Sequence, residues 1–245
     1  MEAYMIIVED IQKDIKKHRI LKEINFSLED NQIVALVGNN GAGKTTLMKV
    51  ISGILDINGG SIHVNNENKS DYLEWAHNNV AYQSTNERDL SYKNTAKDNI
   101  IYYGILKGTK KKQILENLNY YLKYIKFENE LVRKVEELST GQKKIVKLLA
   151  VFCCNCKYLI LDEPTEGLDI ENINLIKDIL IDMSKKRGKV LVISSHDLSF
   201  LADISTRYLF LKNGQVIKTI DSKLEVDSLT EIFIENQGEE NEKIL

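Results

Sequence analysis

Short apolar runs that end in polar residues recur along the chain and indicate buried strands of a parallel sheet. The clearest runs are IVALVG (33–38), KYLILDEP (157–164) and KVLVISSH (189–196). Segments with helical spacing alternate with them, at residues 45–55, 113–125 and 143–152. This alternation predicts an α/β fold, in which a mainly parallel sheet carries helices on its faces.

Local patterns add four further predictions. One stripe of the helix predicted at 113–125 contains Ile114, Leu118, Leu122 and Ile125. GGSIHVNN (59–66) predicts a turn and then a strand, and LFLKNGQVIKTI (209–220) predicts a hairpin turning at Asn213-Gly214. The segment NQGEENEK (236–243) is polar, and we expect it to be mobile.

The composition fits one domain with an inserted lobe. The chain has 245 residues, of which 43% are hydrophobic, so it can bury a sizeable core. Its single proline is Pro164, and no stretch rich in Pro, Gly or Ser divides it. We therefore predict one domain over 1–232, with a helical subdomain at about 86–156, and a polar tail at 233–245.

Charge and hydropathy argue against nucleic-acid binding and against a membrane-spanning segment in this chain. The formal net charge is −3, whereas proteins that grip nucleic-acid backbones normally carry a basic surplus. No apolar run reaches 18 residues, so the chain is not expected to cross a membrane itself. Its acidic start, MEAYMIIVEDIQKD, is unlike a signal peptide and predicts a cytosolic location.

Three cysteines cluster in FCCNC, at Cys153, Cys154 and Cys156. Such close neighbours do not easily form a disulfide framework, and a metal site needs a fourth ligand and better spacing. We therefore expect buried free thiols beside a strand.

GNNGAGKT (38–45) matches the phosphate-loop pattern and has the required strand before it and helix after it. Its glycines let backbone N–H groups curl around phosphate oxygens, and the following helix start adds positive partial charge. In this pattern Lys44 reaches the β- and γ-phosphates and the Thr45 hydroxyl ligates Mg²⁺. The predicted nucleotide-binding residues are Gly38, Asn39, Asn40, Gly41, Ala42, Gly43, Lys44, Thr45 and Thr46.

YLILDE (158–163) is the natural second half of such a site. Asp162 ends the predicted strand, where a carboxylate can hold Mg²⁺ directly or through water. Glu163 follows it, where a carboxylate can orient and polarise an attacking water.

LSTGQ (138–142) allows two interpretations. Ser139 and Gln142 have the spacing of a capping box at a helix start. Ser and Gly also bind phosphate through hydroxyl and backbone N–H groups.

The ordered set GNNGAGKT, Gln83 in VAYQST, LSTGQ, LILDEPTEGLD and SSHD resembles the nucleotide-binding subunit of ATP-binding cassette (ABC) transporters. The resemblance covers roughly residues 3–220. It implies a P-loop NTPase fold of ABC type, with a mainly parallel central sheet, an antiparallel β subdomain and an inserted helical subdomain. It also implies ATP and Mg²⁺ as the bound cofactors.

The resemblance implies roles for four further positions. Gln83 matches the glutamine that reaches Mg²⁺ and the attacking water, and Glu163 matches the catalytic carboxylate. His196 matches the histidine that contacts the γ-phosphate. Asp169 matches the aspartate that communicates across a dimer.

In the family that the chain resembles, two subunits pack head to tail, which implies a dimer with itself or with a homologous ATPase subunit. Each ATP lies between the phosphate loop of one subunit and the LSxGQ stretch of the other. Ser139, Gly141 and Gln142 would thus bind the nucleotide of the opposite subunit.

The sequence departs from the family pattern at several positions. Thr140 stands where Gly is common, Ile145 where Arg is frequent, and Glu166 where Ser is commoner. Ile15 takes the place of an aromatic residue that usually stacks on adenine, with His18 as a substitute.

We expect the ATP-hydrolysing subunit of an ABC transporter, acting on the cytoplasmic face of the cell membrane beside a separate transmembrane permease. The alternative is a soluble ABC ATPase in a cytosolic assembly complex, such as iron–sulfur cluster assembly. By analogy with other chains of this length, the short helical lobe favours export, for example of drugs or antimicrobial peptides.

Overall fold

Two sheets organise the computed structural model, which describes residues 5–65, 67–68, 72–86 and 89–237. The smaller sheet is antiparallel and contains β1 (Ile6–Ile15), β2 (His18–Leu28), β4 (Gly59–Val64) and β5 (Glu67–Asn68). The larger sheet contains β3 (Ile33–Val37), β6 (Val80–Gln83), β7 (Tyr158–Asp162), β8 (Val190–Ser194), β9 (Arg207–Lys212) and β10 (Gln215–Ile220). The strand orders are β2-β1-β4-β5 and β10-β9-β3-β8-β7-β6.

Five strands of the larger sheet are parallel, and only the edge strand β10 runs antiparallel, to β9. The register pairs Asp162 at the end of β7 with Ser194 at the end of β8. It also pairs Gln83, at the end of β6, with Leu161. The carboxyl ends of β3, β6, β7 and β8 therefore meet at one edge, where ligands bind in open α/β sheets.

Eight helices lie among the described residues, together with two 3-10 turns at Glu130–Val132 and Val135–Glu137. The helices are α1 (Lys44–Ile51), α2 (Tyr72–Asn79), α3 (Ala96–Leu106), α4 (Lys111–Tyr121), α5 (Thr140–Phe152), α6 (Ile170–Lys185), α7 (Leu198–Ile204) and α8 (Val226–Gln237). None of these helices combines the length and the apolar character that crossing a bilayer requires.

Strands β3, β7 and β8 are buried along their whole length, which explains why each appears in the sequence as a continuous apolar run. Successive side chains point to opposite faces of the sheet. One face, with Val34 and Leu36, packs against α1 and the smaller sheet, while Ala35 and Val37 face a second core with α5 and α6. The sheet is thus held on both sides, and its carboxyl edge is a rigid base for loops.

The predicted strands at 33–38, 157–164 and 189–196 are confirmed as β3, β7 and β8. The predicted hairpin is confirmed as β9 and β10, with left-handed φ angles of 50° at Asn213 and 80° at Gly214. The three cysteines are buried and free, as expected.

Helix ends were the less accurate part of the sequence prediction. The helix predicted at 45–55 ends at Ile51, because Gly53 adopts a left-handed φ of 68°. The helix predicted at 113–125 ends at Tyr121, although Ile125 still packs in the core. Helix α8 continues to Gln237, so residues 233–237 of the predicted tail are helical. The rest of that tail and residue 66 lie outside the described residues.

Candidate nucleotide site

An open cleft of about 530 Å³ lies at the carboxyl edge of the larger sheet. It is lined by Ile20, Asn39, Asn40, Gly41, Gly43, Lys44, Thr45, Thr46, Thr85, Asp162, Glu163, Glu166 and His196. Ten of these thirteen residues are among the predicted site residues, and they come from three separate parts of the chain. The cleft therefore brings together the loop after β3, the end of β7 and the segment after β8.

The loop between β3 and α1 forms the floor of the cleft. Gly41 and Gly43 have left-handed φ angles of 82° and 106°, which favour glycine. A Cβ atom at Gly38 would lie 2.4 Å from the carbonyl oxygen of Leu211, so the loop passes too close to β9 for a side chain. Helix α1 begins at Lys44 directly after the loop and directs its unpaired N–H groups towards the cleft.

Lys44 places a partly buried ammonium group on this loop. Its Nζ donates to the carbonyl oxygens of Gly38 at 2.5 Å and Asn39 at 3.1 Å, and the residue is 8% exposed. Burial lowers the pKa of Lys44, while the nearby carboxylates of Glu163 and Asp162 act in the opposite direction. The ammonium group and the backbone N–H groups together suit an anion with several oxygens, such as a polyphosphate.

Three hydroxyl groups hold the carboxylate of Asp162, which is 2% exposed. Thr45 Oγ1 donates to Oδ2 at 2.9 Å, and the Tyr82 hydroxyl donates to the same oxygen at 3.3 Å. Ser194 Oγ donates to Oδ1 at 2.6 Å. The phosphate loop and the strand end are thus joined through one buried carboxylate, surrounded by the oxygen donors that Mg²⁺ prefers.

Glu163 lies at the strand end in a left-handed conformation, with φ 49°. Its backbone N–H donates to the carbonyl oxygen of Ser194 at 3.2 Å, which fixes the turn against β8. Its carboxylate accepts the backbone N–H of His196 at 3.1 Å and lies 3.5 Å from His196 Nε2. Burial raises the pKa of Glu163, and attraction to His196 and Lys44 partly offsets this effect. A poorly solvated carboxylate of this kind is suited to accept a proton from water.

Gln83, which is predicted to join Thr45 and Asp162 at the metal ion, lies outside the cleft lining in this structure. Its Nε2 donates to the carbonyl oxygen of Ser84 at 2.5 Å and lies 3.3 Å from that of Asp162. Its Oε1 is buried and has no hydrogen-bond partner among the described residues. Both acceptors of the Gln83 amide are backbone carbonyl oxygens, so the side chain is folded back onto the main chain.

The capping-box interpretation of LSTGQ holds within this chain. Ser139 Oγ accepts the backbone N–H of Gln142 at 3.2 Å, and Gln142 Oε1 accepts that of Ser139 at 3.0 Å. Ser139 and Thr140 are exposed, and Gly141 lies against the carbonyl oxygen of Gly167. Ser139, Gly141 and Gln142 do not line the cleft of their own chain.

Two predicted loop residues face elsewhere, since Gly38 and Ala42 line a separate cavity of about 130 Å³ behind the phosphate loop. The residue beside the cleft at the β1–β2 hairpin is Ile20, whereas Ile15 and His18 are exposed and do not line it. Ile20 is the residue of this hairpin that lies against the phosphate loop, since a Cβ atom at Gly43 would lie 3.5 Å from its carbonyl oxygen.

Sequence reasoning missed several polar groups around the site. Tyr82 and Ser194 each donate to Asp162, and Lys144 Nζ donates to the carbonyl oxygen of Glu163 at 2.7 Å. The signal for Tyr82 was its position next to Gln83, and that for Ser194 was its position at the end of an apolar strand. Lys144 had no local signal, because its partner is 19 residues away.

A glycine-rich phosphate loop joined to a buried aspartate at the end of a parallel strand defines a P-loop nucleotide-binding protein. A family model described as ABC transporter matches residues 21–166. An uncharacterized ABC transporter ATP-binding protein of Methanocaldococcus jannaschii is 33% identical over 212 residues, covering 86% of this chain and 76% of that protein. The zinc uptake system ATP-binding protein ZurA of Listeria innocua is 31% identical over 202 residues, covering 79% of this chain and 77% of that protein.

Solved structures have the same fold. An ATP-binding subunit of an ABC transporter superimposes with a TM-score of 0.83 at 23% identity, covering 94% of this chain and 99% of that chain. A dimeric ATP-binding cassette bound to ADP and phosphate superimposes with a TM-score of 0.77 at 22% identity, covering 88% of this chain and 98% of that chain. The chain therefore belongs to the ABC transporter family and is an ATP-binding, ATP-hydrolysing subunit of it.

Proposed function

We propose that this protein hydrolyses Mg²⁺-bound ATP at a site shared between two subunits packed head to tail, and thereby powers a separate transmembrane permease. The observation that carries the proposal is the position of LSTGQ. Ser139 is exposed at the start of α5, yet it does not line the cleft that holds Lys44. A second subunit packed head to tail would bring this exposed helix start to the cleft of its neighbour.

Residues of this chain fit Mg²⁺ by their chemistry. Thr45 Oγ1 and Asp162 Oδ2 lie 2.9 Å apart, and both are hard oxygen ligands of the kind that Mg²⁺ takes beside substrate phosphates. The ion, when bound, would neutralise charge on the phosphates. Gln83 would contribute Oε1, the buried oxygen without a partner among the described residues, after its amide leaves Ser84.

In the proposed reaction Lys44 and the phosphate-loop N–H groups hold the β- and γ-phosphates. Glu163 accepts a proton from the attacking water, since its carboxylate borders the cleft and is poorly solvated. His196 donates its backbone N–H to that carboxylate and keeps it oriented, while its exposed ring faces the cleft. Ser139 and Gly141 of the opposite subunit close the site over the γ-phosphate.

Complementation between two inactive variants tests the shared site. Lys44→Ala removes the ammonium group from the phosphate loop, and Gly141→Asp adds a carboxylate beside the partner's phosphate. We expect each variant alone to lose ATPase activity and a mixture of the two to regain it, because a mixed dimer contains one unaltered pair. Absence of recovery in mixtures whose unfolding curves match that of the wild type would contradict a homodimeric shared site.

The permease partner and the membrane location follow from the family. ATP-binding subunits of a transporter act on a membrane-spanning component, and ATP is a cytosolic substrate, so we place the protein at the cytoplasmic face of the membrane. The alternative, a soluble assembly ATPase, has support only from its motifs. Co-purification from native membranes distinguishes them, because recovery of a multi-span protein supports transport and recovery of soluble partners alone contradicts it.

The direction of transport is a separate prediction, because the cleft is proposed to bind the nucleotide and not the transported cargo. The short helical lobe favours export, whereas the relative from Listeria innocua is named as part of a zinc uptake system. Reconstitution of the protein with its permease in vesicles tests the direction. ATP added outside should drive cargo into the vesicles if the complex is an exporter, and cargo loss from loaded vesicles would contradict export.

A further inference from the structure

Glu163, whose carboxylate is proposed to take a proton from water, has a backbone conformation that its surroundings must maintain. Its φ of 49° lies in the left-handed region, which is uncommon for a residue other than glycine. Pro164 follows it, and a proline ring further restricts the backbone of the residue before it. A conformation of this kind persists where neighbouring groups hold it, so the contacts of Glu163 decide where its carboxylate lies.

The hydrogen bonds that hold Glu163 come from different elements. Its N–H donates to the carbonyl oxygen and to the hydroxyl group of Ser194, each at 3.2 Å, and its carboxylate accepts the N–H of His196 at 3.1 Å. Its carbonyl oxygen accepts from Lys144 Nζ at 2.7 Å and from the Glu166 N–H at 3.4 Å. The Lys144 contact is the shortest of these, and it is made by a side chain of α5.

The first two turns of α5 combine an outward surface with contacts to the segment that starts at Glu163. Ser139 caps the helix and is exposed. Gly141, in the first turn, lies so close to that segment that a Cβ atom on it would be 3.2 Å from the carbonyl oxygen of Gly167. Lys144, in the second turn, reaches the carbonyl oxygen of Glu163. A shift of α5 relative to the larger sheet therefore moves the donor that holds the backbone of Glu163.

We propose that Lys144 is a positioning residue for ATP hydrolysis, which holds the Glu163 carboxylate of its own chain where it meets the attacking water. The inference rests on the proposed function, in which Glu163 accepts a proton from that water. Lys144 does not line the nucleotide cleft, so it acts through the Glu163 carbonyl oxygen. It fixes the peptide group between Glu163 and Pro164, while the His196 N–H fixes the carboxylate. Without the ammonium group, the left-handed backbone can relax and carry the carboxylate away from the water.

Steady-state ATPase kinetics of the full-length protein measure the effect of Lys144→Met, which removes the donor to the Glu163 carbonyl oxygen. We expect kcat to fall about tenfold to a hundredfold, because small displacements of a catalytic group reduce rates on this scale, while the KM for ATP changes less than about twofold. Lys144→Arg keeps a cationic donor and should restore kcat to within about threefold of the wild type. The matched control is Lys143→Met, which changes an ammonium group 4.9 Å from the centroid of the Tyr92 ring and should keep wild-type turnover.

Mixed dimers distinguish the positioning of Glu163 from general support of α5. When a Lys44→Ala chain pairs with a Gly141→Asp chain, the intact site uses Glu163 of the Gly141→Asp chain and the LSTGQ stretch of the Lys44→Ala chain. Lys144→Met should therefore lower the activity of the mixture when the Gly141→Asp chain carries it. The same change in the Lys44→Ala chain should alter activity less than about twofold, because Glu163 of that chain serves the inactive site.

Three results would overturn the proposal, each in variants whose thermal unfolding matches that of the wild type. The first is a kcat of Lys144→Met equal to that of Lys143→Met. The second is a Lys144→Arg variant as slow as Lys144→Met. The third is an equal loss of activity whichever chain of the mixed dimer carries Lys144→Met, as a merely structural role in α5 predicts. Failure of the shared site is distinguishable, because mixtures with an unaltered Lys144 would then be inactive while the comparison of Lys144→Met with Lys144→Arg still tests the positioning role.

Discussion

Lys147 and Gln83 share one hydrogen-bond acceptor, the carbonyl oxygen of Ser84. Lys147 Nζ donates to it at 2.5 Å and to the carbonyl oxygen of Asn86 at 2.7 Å, while Gln83 Nε2 donates at 2.5 Å. Lys147 is 8% exposed and belongs to α5, so the helix that starts at Ser139 also holds the segment that follows Gln83. The position of α5 and the freedom of Gln83 are therefore connected through a single backbone oxygen.

Lys147→Met should remove the link between the position of α5 and the side chain of Gln83. The substitution keeps an apolar chain of similar length and leaves two carbonyls without their ammonium donor. We expect ATPase turnover to fall about threefold to tenfold, with nucleotide affinity changed by less than about twofold, because the phosphate loop is untouched. Steady-state kinetics and nucleotide titration measure the two quantities. The control is Lys143→Met, which changes a half-exposed lysine on the same helix. Equal ATPase turnover in the two variants would contradict a link between α5 and Gln83 through Lys147.

Glu163→Gln should separate binding from hydrolysis. The amide keeps the size of the side chain and cannot take a proton from water, so the ATP-bound dimer should persist. Size-exclusion chromatography with Mg²⁺ and saturating ATP should show a dimer for this variant. Glu166→Gln, at the rim of the same cleft, should elute as the wild type does. A purely monomeric Glu163→Gln at saturating nucleotide would count against the shared site.

The raised pKa of Glu163 predicts a pH-dependent cost in stability. Burial raises the pKa of this carboxyl above its ordinary value of 4.5, so the folded state binds the proton more tightly than the unfolded state. Folding therefore loses stability as pH rises through the window above that value. Glu163→Gln carries no such loss, so the excess of its Tm over that of the wild type should grow as pH rises above about 4.5. A constant Tm difference across this range would contradict the assigned shift.

Tyr82→Phe should change the response to Mg²⁺. The Tyr82 hydroxyl and Thr45 both donate to Oδ2 of Asp162, the oxygen proposed to face the ion. Removal of one donor frees a lone pair for the metal, so the Mg²⁺ concentration for half-maximal ATPase should fall about twofold to fivefold. Tyr102→Phe, an exposed tyrosine, provides the control. An increase in the Mg²⁺ requirement would show that the hydroxyl orients the carboxylate instead.

Much of the fold could be predicted from the sequence, because many of its strands and turns follow from short local residue patterns. Strands β3 and β8 are continuous apolar runs, and the turn at Asn213-Gly214 is a local backbone preference. The ends of helices were harder to predict. Gly53 adopts a left-handed conformation within a predicted helix, and Ile125 packs in the core although it lies beyond the end of α4. Helix α6, the longest described helix at 16 residues, was not identified, although Ile176, Ile179, Leu180 and Met183 have the spacing of one buried apolar stripe.

The residues of the candidate site also fall into those that local sequence patterns predict and those that only the folded structure brings together. The phosphate loop, Asp162 and Glu163 were predictable, because each belongs to a short contiguous motif in the sequence. The folded-back amide of Gln83 was not, because no local pattern indicates that it donates to the backbone carbonyl oxygens of Ser84 and Asp162. The role of Lys144 is equally invisible in sequence, because nothing near it indicates that a helix will bring it to Glu163.

The cap at Ser139 has one more consequence. A hydroxyl group has lone pairs and a proton, and the Gln142 N–H uses only a lone pair of the Ser139 oxygen. The hydroxyl proton can still be donated outward. The Ser139 hydroxyl group can therefore cap the helix and bind an anion at the same time. Aspartate would cap this helix as well, but its carboxylate has no proton to donate and would repel a phosphate. Serine serves both the helix and a phosphate brought by another molecule, which aspartate cannot do.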